Sequence, residues 1–149
     1  MTGPFRATSP TSPDELVAHI DGGSRGNPGP AAFAVVIKTV DGKPIDELSG
    51  FLERATNNVA EYRGLLAALD YARSRQCRLR VFSDSELLVR QIKGVYKVKS
   101  LDLKPLYEQA RRMIAELESF SIQHVYREHN READRLANEA MDAAAKPKA

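Results

Sequence analysis

The chain has 149 residues, 42% hydrophobic and 28% charged, which suits a single globular core, and it has no apolar run long enough to span a bilayer. A formal net charge of +2 is too small to mark a nucleic-acid binder by itself. Cys77 is the only cysteine, which rules out an internal disulfide, a CxxC redox pair and a Cys-rich zinc site; a packing role for the thiol and a reducing, cytoplasmic setting are the expectations.

Residues 1–14, rich in Pro, Ser and Thr, lack the apolar core and cleavage site of a secretory signal and read as a flexible leader. The folded domain is expected over 15–143, with 144–149 as a frayed tail. Residues 15–21, ELVAHID, form a β-prone run that meets the turn-rich GGSRGNPGP, and AAFAVVIKTV restores the strand pattern, which predicts a hairpin. A turn at Asp41 to Pro44 leads into IDELSGFLER as a third strand.

From Asn58 the period changes. Val59, Leu65, Leu66, Leu69 and Ala72 recur at helical spacing behind the polar caps Thr56 to Asn58. RLRVFSD then reads as a strand, with Ser85 placed to cap the helix that follows. Leu103 to Phe120 is helical in pattern, with Pro105 tolerable in its first turn, and SIQHVYR predicts a last strand before the helical READRLANEAMDAAA. Strands interleaved with helices indicate an α/β fold with a mixed sheet.

Four acids occupy element ends or first turns: Asp21, Glu61, Asp84 and Asp134. Open α/β sheets build their sites beside the carboxyl ends of strands, so Asp21 and Asp84 can meet there if their strands are parallel neighbours. Like charges about 4 Å apart repel by about 4 kcal/mol at an effective dielectric of 20, so a cluster of carboxylates calls for a cation. Oxygen-only ligands suit Mg²⁺ or Mn²⁺ rather than zinc, and two such ions can serve phosphodiester hydrolysis. Taken singly, each acid reads better as solvated surface or a cap; the surrounding motifs change that balance.

DGGSRGNPGPA, TNNVAEYRGLLAAL, SDSELLV and HNREADRLANEA resemble, in order and at domain-scale spacing, the four active-site blocks of type 1 ribonuclease H. The resemblance runs from about Val17 to Met141 and implies a five-stranded ribonuclease H-like sheet of order 3-2-1-4-5 flanked by helices. It implies endonucleolytic cleavage of the RNA strand of an RNA/DNA hybrid with two Mg²⁺ or Mn²⁺ ions, leaving 5′-phosphate and 3′-hydroxyl ends. By position in these blocks, Asp21 would bridge both ions. Glu61 and Asp84 would hold the ion near the leaving group, and Asp134 the ion that presents the water.

RNA is told from DNA through its 2′-hydroxyl, reached from the wide minor groove of an A-like helix. Asn27, Asn57 and Asn58 match family positions that contact the hybrid, although turn formation and capping explain them equally well, and Ser24 and Glu86 fall in plausible contact positions. Thr56 resembles the residue that seats a DNA-strand phosphate, with Arg54 as a charge partner, and Glu86 stands where many relatives carry Gln. Between Arg73 and Lys99, eight basic residues stand against two acidic ones, a tract suited to salt-sensitive phosphate contacts. The stretch GVYKVKSLDLKPLY lacks the long basic handle of some relatives, leaving Tyr96 as its clearest aromatic.

VYREHNREAD is shorter than the loop that carries a catalytic His in many relatives. Arg127 resembles the Arg of compact members without that loop and ranks ahead of His129 as an auxiliary group; His124 and His19 read as structural. A monomer without an obligate protein partner is expected. A binding module that has lost catalysis is the rival from another class, but all four acids are present. A related nuclease acting on another polynucleotide, double-stranded RNA included, is the nearer alternative.

Overall fold

The computed structural model describes residues 14–145, and the leader before Asp14 and residues 146–149 of the expected tail lie outside the described residues. The elements in chain order are β1 (Glu15–Ser24), β2 (Gly29–Lys38), β3 (Pro44–Ala55), α1 (Asn57–Ser74), β4 (Arg78–Ser83), α2 (Glu86–Ile92), α3 (Lys104–Ala115), β5 (Phe120–His124) and α4 (Arg131–Ala145), with a 3-10 turn at Arg127–His129. The strands form one sheet of order β3-β2-β1-β4-β5. β1 pairs with β2 and β2 with β3 in antiparallel fashion, whereas β1 with β4 and β4 with β5 are parallel. Fold class and strand order are those implied by the sequence motifs.

Burial follows the two periodicities. On β1, Leu16, Ala18 and Ile20 alternate inward, while β2 is buried on both faces through Ala31, Ala32, Ala34, Val35, Val36 and Ile37. A strand buried on both sides needs cover above and below. That cover comes from α1 and α4, both of which pack on β2. Helix α1 also packs against α3, so it buries Tyr62, Leu65, Ala68, Leu69, Tyr71 and Ala72 rather than a single narrow stripe. Thr56 caps it, its hydroxyl accepting from the Val59 N–H at 3.2 Å, and Ser85 caps α2 through the Leu88 N–H in the same way. Cys77 is buried at the junction of α1 and β4, in the core cluster with Leu79 and Val81. No helix among the described residues is long and apolar enough to cross a membrane.

Three boundaries differ from the sequence expectation. β1 continues past Asp21 to Ser24 because the hairpin ladder with β2 runs on to the Ser24 and Ala31 pair. Helix α3 stops at Ala115 rather than Phe120, because Phe120 pairs with Leu79 and opens β5. Sheet pairing there overrides helical periodicity. β5 in turn ends at His124, and Arg127 lies in the 3-10 turn instead of a strand.

Candidate active site

The parallel ladder between β1 and β4 ends at the pair Ile20 and Ser83. Asp21 and Asp84 are the next residues on the two chains, so both carboxylates stand where adjacent strands stop pairing. Glu61 arrives from the second turn of α1 because Gly22 lets that helix lie on the strand. A Cβ at Gly22 would overlap the backbone of Ala60 and Glu61. Carboxylate oxygens of Asp21, Glu61 and Asp84 all lie within 4.8 Å of one another. Asp134, in the first turn of α4, lines the same cavity of about 480 Å³ and stands beside Asp21.

The electrostatics match this crowding. Burial pushes Asp21 up to about 8, with the Asp84 charge and the Asp134 carboxyl adding to the rise and the Gly22 N–H opposing it. Burial likewise pushes Glu61 to about 7, against a hydrogen bond with Ser85 and the charge of Arg127, with Asp84 adding to the rise. Asp84 is raised by burial; Arg127 and Asn130 favour its charged form and Asp134 disfavours it. Closely spaced carboxylate oxygens, kept from solvent and not neutralised by a buried cationic side chain, are a donor set that fits a divalent ion of the Mg²⁺ or Mn²⁺ class.

The polar residues singled out from sequence fall into two groups. Ser24, Asn57, Asn58, Glu86 and Arg127 line the cavity with the acids. Asn57 Oδ1 accepts from the Ser24 N–H at 2.7 Å and from its hydroxyl at 3.1 Å, and the Asn57 N–H donates to Asn27 Oδ1 at 3.0 Å. The hairpin loop is therefore tied to the start of α1. Glu86 pairs with Arg90 on its own helix, and the Arg127 guanidinium reaches to 3.9 Å from Asp84. Thr56 serves as the α1 cap, Arg54 is exposed near the end of β3, and neither lines the cavity. His129 is also elsewhere. It closes the 3-10 turn and lines a separate depression with His19, Lys38 and Glu132.

Of the basic tract, Arg73 pairs with Asp70 and Glu116, Arg75 lies over the Tyr71 ring, Arg80 pairs with Glu15 and Arg90 with Glu86. Half of its charges, all on exposed or half-buried side chains, are thus engaged in local contacts.

Two residues escaped the sequence reading. Asn130 is 2% exposed; its Nδ2 donates to the Ile20 carbonyl at 2.8 Å, and its Oδ1 has no hydrogen-bond partner among the described residues. It fastens the start of α4 to the strand residue just before Asp21. An Asn ahead of a helix reads as a cap, which hid this role. Arg25 also lines the cavity, although in sequence it stands inside a Gly-rich turn with no local pattern that marks it.

A model described as reverse transcriptase-like matches residues 19–140. Ribonuclease HI of Halobacterium salinarum is 40% identical over 147 residues, 95% of this chain and 73% of that protein. The chain belongs to the type 1 ribonuclease H family. The bifunctional protein Rv2228c of Mycobacterium tuberculosis is 47% identical over 133 residues, which make up 88% of this chain and 36% of that protein, so the chain spans about a third of that relative's length. The solved N-terminal ribonuclease H domain of Rv2228c superposes with a TM-score of 0.84, covering 88% of this chain and 96% of that one. LC11-RNase H1, solved in complex with an RNA/DNA hybrid, is 39% identical with a TM-score of 0.84, covering 88% of this chain and 99% of that one. Within this ribonuclease H fold the chain is compact. Only residues 125–130 join β5 to α4, and residues 93–103 join α2 to α3.

Proposed function

We propose that the chain is a divalent-metal-dependent endoribonuclease that cuts the RNA strand of RNA/DNA hybrids and leaves 5′-phosphate and 3′-hydroxyl ends. The observation that carries this reading is the convergence of Asp21, Glu61 and Asp84 within 4.8 Å at the end of the parallel strands, with Asp134 beside them. Held by these carboxylates, a pair of Mg²⁺ or Mn²⁺ ions would supply an activated water and relief of charge on the leaving oxygen. By their positions in the ribonuclease H motifs, Asp21 would serve both ions, Glu61 and Asp84 the one near the leaving group, and Asp134 the other.

The remaining residues bind and orient. Asn57, at the cavity, uses its carbonyl oxygen on Ser24, and Asn27, in the adjoining hairpin loop, uses its own on the Asn57 N–H, which leaves the amide nitrogens of both to donate to a ligand. Donors fixed in this way suit the 2′-hydroxyls that line an RNA strand's minor groove. Asn58, in the first turn of α1, adds its amide beside Asn57 on the cavity wall. Arg127 sets a cation near Asp84 where a phosphate would lie, and Thr56 with Arg54 provides a more distant phosphate contact on the DNA strand. The solved complex of LC11-RNase H1 supports the choice of hybrid as ligand.

The test compares labelled RNA/DNA hybrid, double-stranded RNA, single-stranded RNA and double-stranded DNA, each with Mg²⁺ or Mn²⁺. Cleavage of the hybrid's RNA strand to 5′-phosphate ends is expected. No cleavage with either metal would overturn the reading, and equal cleavage of double-stranded RNA would overturn its strictness for hybrid.

A further inference from the structure

The geometry points to Arg25 as a substrate-phosphate contact that Asp142 holds in the free protein and releases when a polynucleotide enters, an inference that rests on the cleft being a hybrid-binding site. Among the described residues, two cationic side chains line the cavity of the four acids, Arg127 and Arg25. Arg127 stands near Asp84. Arg25 comes from the β1–β2 hairpin, and its Nη2 lies 2.6 Å from Asp142 Oδ1 and 3.4 Å from the Asn138 carbonyl oxygen, both on α4.

The backbone beneath Arg25 is fixed and its side chain is not. Ser24 and Asn27, on either side, are bonded to Asn57 at the start of α1, and the Arg25 N–H donates to the Pro30 carbonyl at 2.8 Å. Among the described residues the guanidinium, in contrast, has the ion pair and one long hydrogen bond. That pair is open to water, with the Arg25 side chain 43% and the Asp142 side chain 61% exposed. Exposed pairs of this kind contribute little to stability, so Asp142 is a weak holder. A phosphate is a better partner for a guanidinium, offering two parallel charge-assisted hydrogen bonds to its planar fork.

The charge balance of the cleft supplies the need. A phosphodiester entering beside four carboxylates is repelled unless cations meet it, and Arg25 is one of the two positioned to do so. Asp142 then acts as a competitor for Arg25, and the sign of its removal separates this role from a structural clasp between hairpin and helix. A clasp would lose the same function from either end. A held contact loses affinity when Arg25 goes and gains affinity when Asp142 goes.

The experiment is steady-state cleavage of a labelled RNA/DNA hybrid by the full chain over a range of salt, with Arg25→Ala, Arg25→Lys, Asp142→Asn and the Arg25→Ala/Asp142→Asn double variant. Arg25→Ala is expected to raise KM about tenfold with kcat within about twofold, and Arg25→Lys to fall between it and wild type. The slope of log affinity against log salt should drop by about 0.9 on loss of one phosphate contact, a readout that a clasp would not move. Asp142→Asn should lower KM about twofold in the presence of Arg25 and leave it unchanged in its absence. All four variants should melt within a few degrees of wild type, as expected for exposed surface positions. The proposal is overturned if Asp142→Asn raises KM as Arg25→Ala does, if its effect persists without Arg25, or if the salt slope is unaltered. A wild type that turns over no hybrid would instead overturn the reading of function, and this inference with it.

Discussion

At the scale of single residues, the site combines groups whose placement predicts different losses. Asp84 sits among carboxylates with burial raising its pKa, so Asp84→Asn should abolish turnover while leaving the metal-free fold as stable or more so, since a repulsive charge is removed. Loss of cleavage with an unchanged or higher melting temperature is the expected pair of readings, and full turnover would exclude Asp84 from metal binding. Arg127 and His129 separate more sharply in the structure than in the sequence. Arg127 faces Asp84 at 3.9 Å, whereas His129 lines another depression. Arg127→Ala should lower kcat about tenfold, less than the roughly 100- to 1000-fold lost with an enclosed oxyanion-hole donor because the Arg127 side chain is largely exposed, and His129→Ala should leave it near wild type. Equal rates for the two variants would remove this distinction. The four acids were legible in sequence because each sat inside a dense motif. Asn130 was not, because its importance comes from a contact across 110 residues, to the Ile20 carbonyl, that no local pattern encodes. Asn130→Ala would leave that carbonyl without its donor, a loss of about 1–3 kcal/mol, together with slower cleavage as α4 loosens from β1. Chemical denaturation and kcat measured on the same preparation check both.

At the scale of elements, the site depends on how closely helices approach the sheet. Gly22 faces the backbone of Ala60 and Glu61, and Gly64 on the same helix faces the Asp21 carbonyl. These two glycines permit the contact between β1 and α1 that brings Glu61 to Asp21. Gly22→Ala must separate strand and helix, and it is expected to cost about 1–3 kcal/mol of stability and most of the activity, with weaker metal binding by titration calorimetry. Retained metal affinity would mean that the acids tolerate the displacement. Strand and helix identities were readable from the change of period at Asn58 and from caps such as Thr56 and Ser85, which the structure uses as such. The ends of α3 and β5 were less readable. Phe120 carries an apolar side chain that satisfies either periodicity, and only its pairing with Leu79 decides between them. The pairing within the tract of eight basic residues was unreadable for a related reason. Sequence counts charges, but ion pairs such as Arg80 with Glu15 form between strands far apart in the chain.

At the scale of the whole molecule, the acidic cluster links stability, pH and metal. Asp21 titrates near 8 in the folded, metal-free chain against an ordinary value of 3.8, and Glu61 near 7 against 4.5. The folded state therefore holds protons that the unfolded state has already released between these limits. Where the folded state binds more protons, unfolding free energy falls as pH rises. The metal-free protein should accordingly lose stability from about pH 4 to pH 8 and level off above the folded value of Asp21. A divalent ion replaces those protons, so its affinity should rise across the same interval and its binding should release protons. Melting curves at pH 5 and pH 8, with and without Mg²⁺ or Mn²⁺, test the linkage. Metal should raise the melting temperature strongly at pH 8 and weakly at pH 5, and Asp21→Asn should flatten both the pH dependence and the metal response. A metal-induced rise of the same size at both pH values would show that ion binding does not draw on the carboxylates whose burial and crowding set these pKa values.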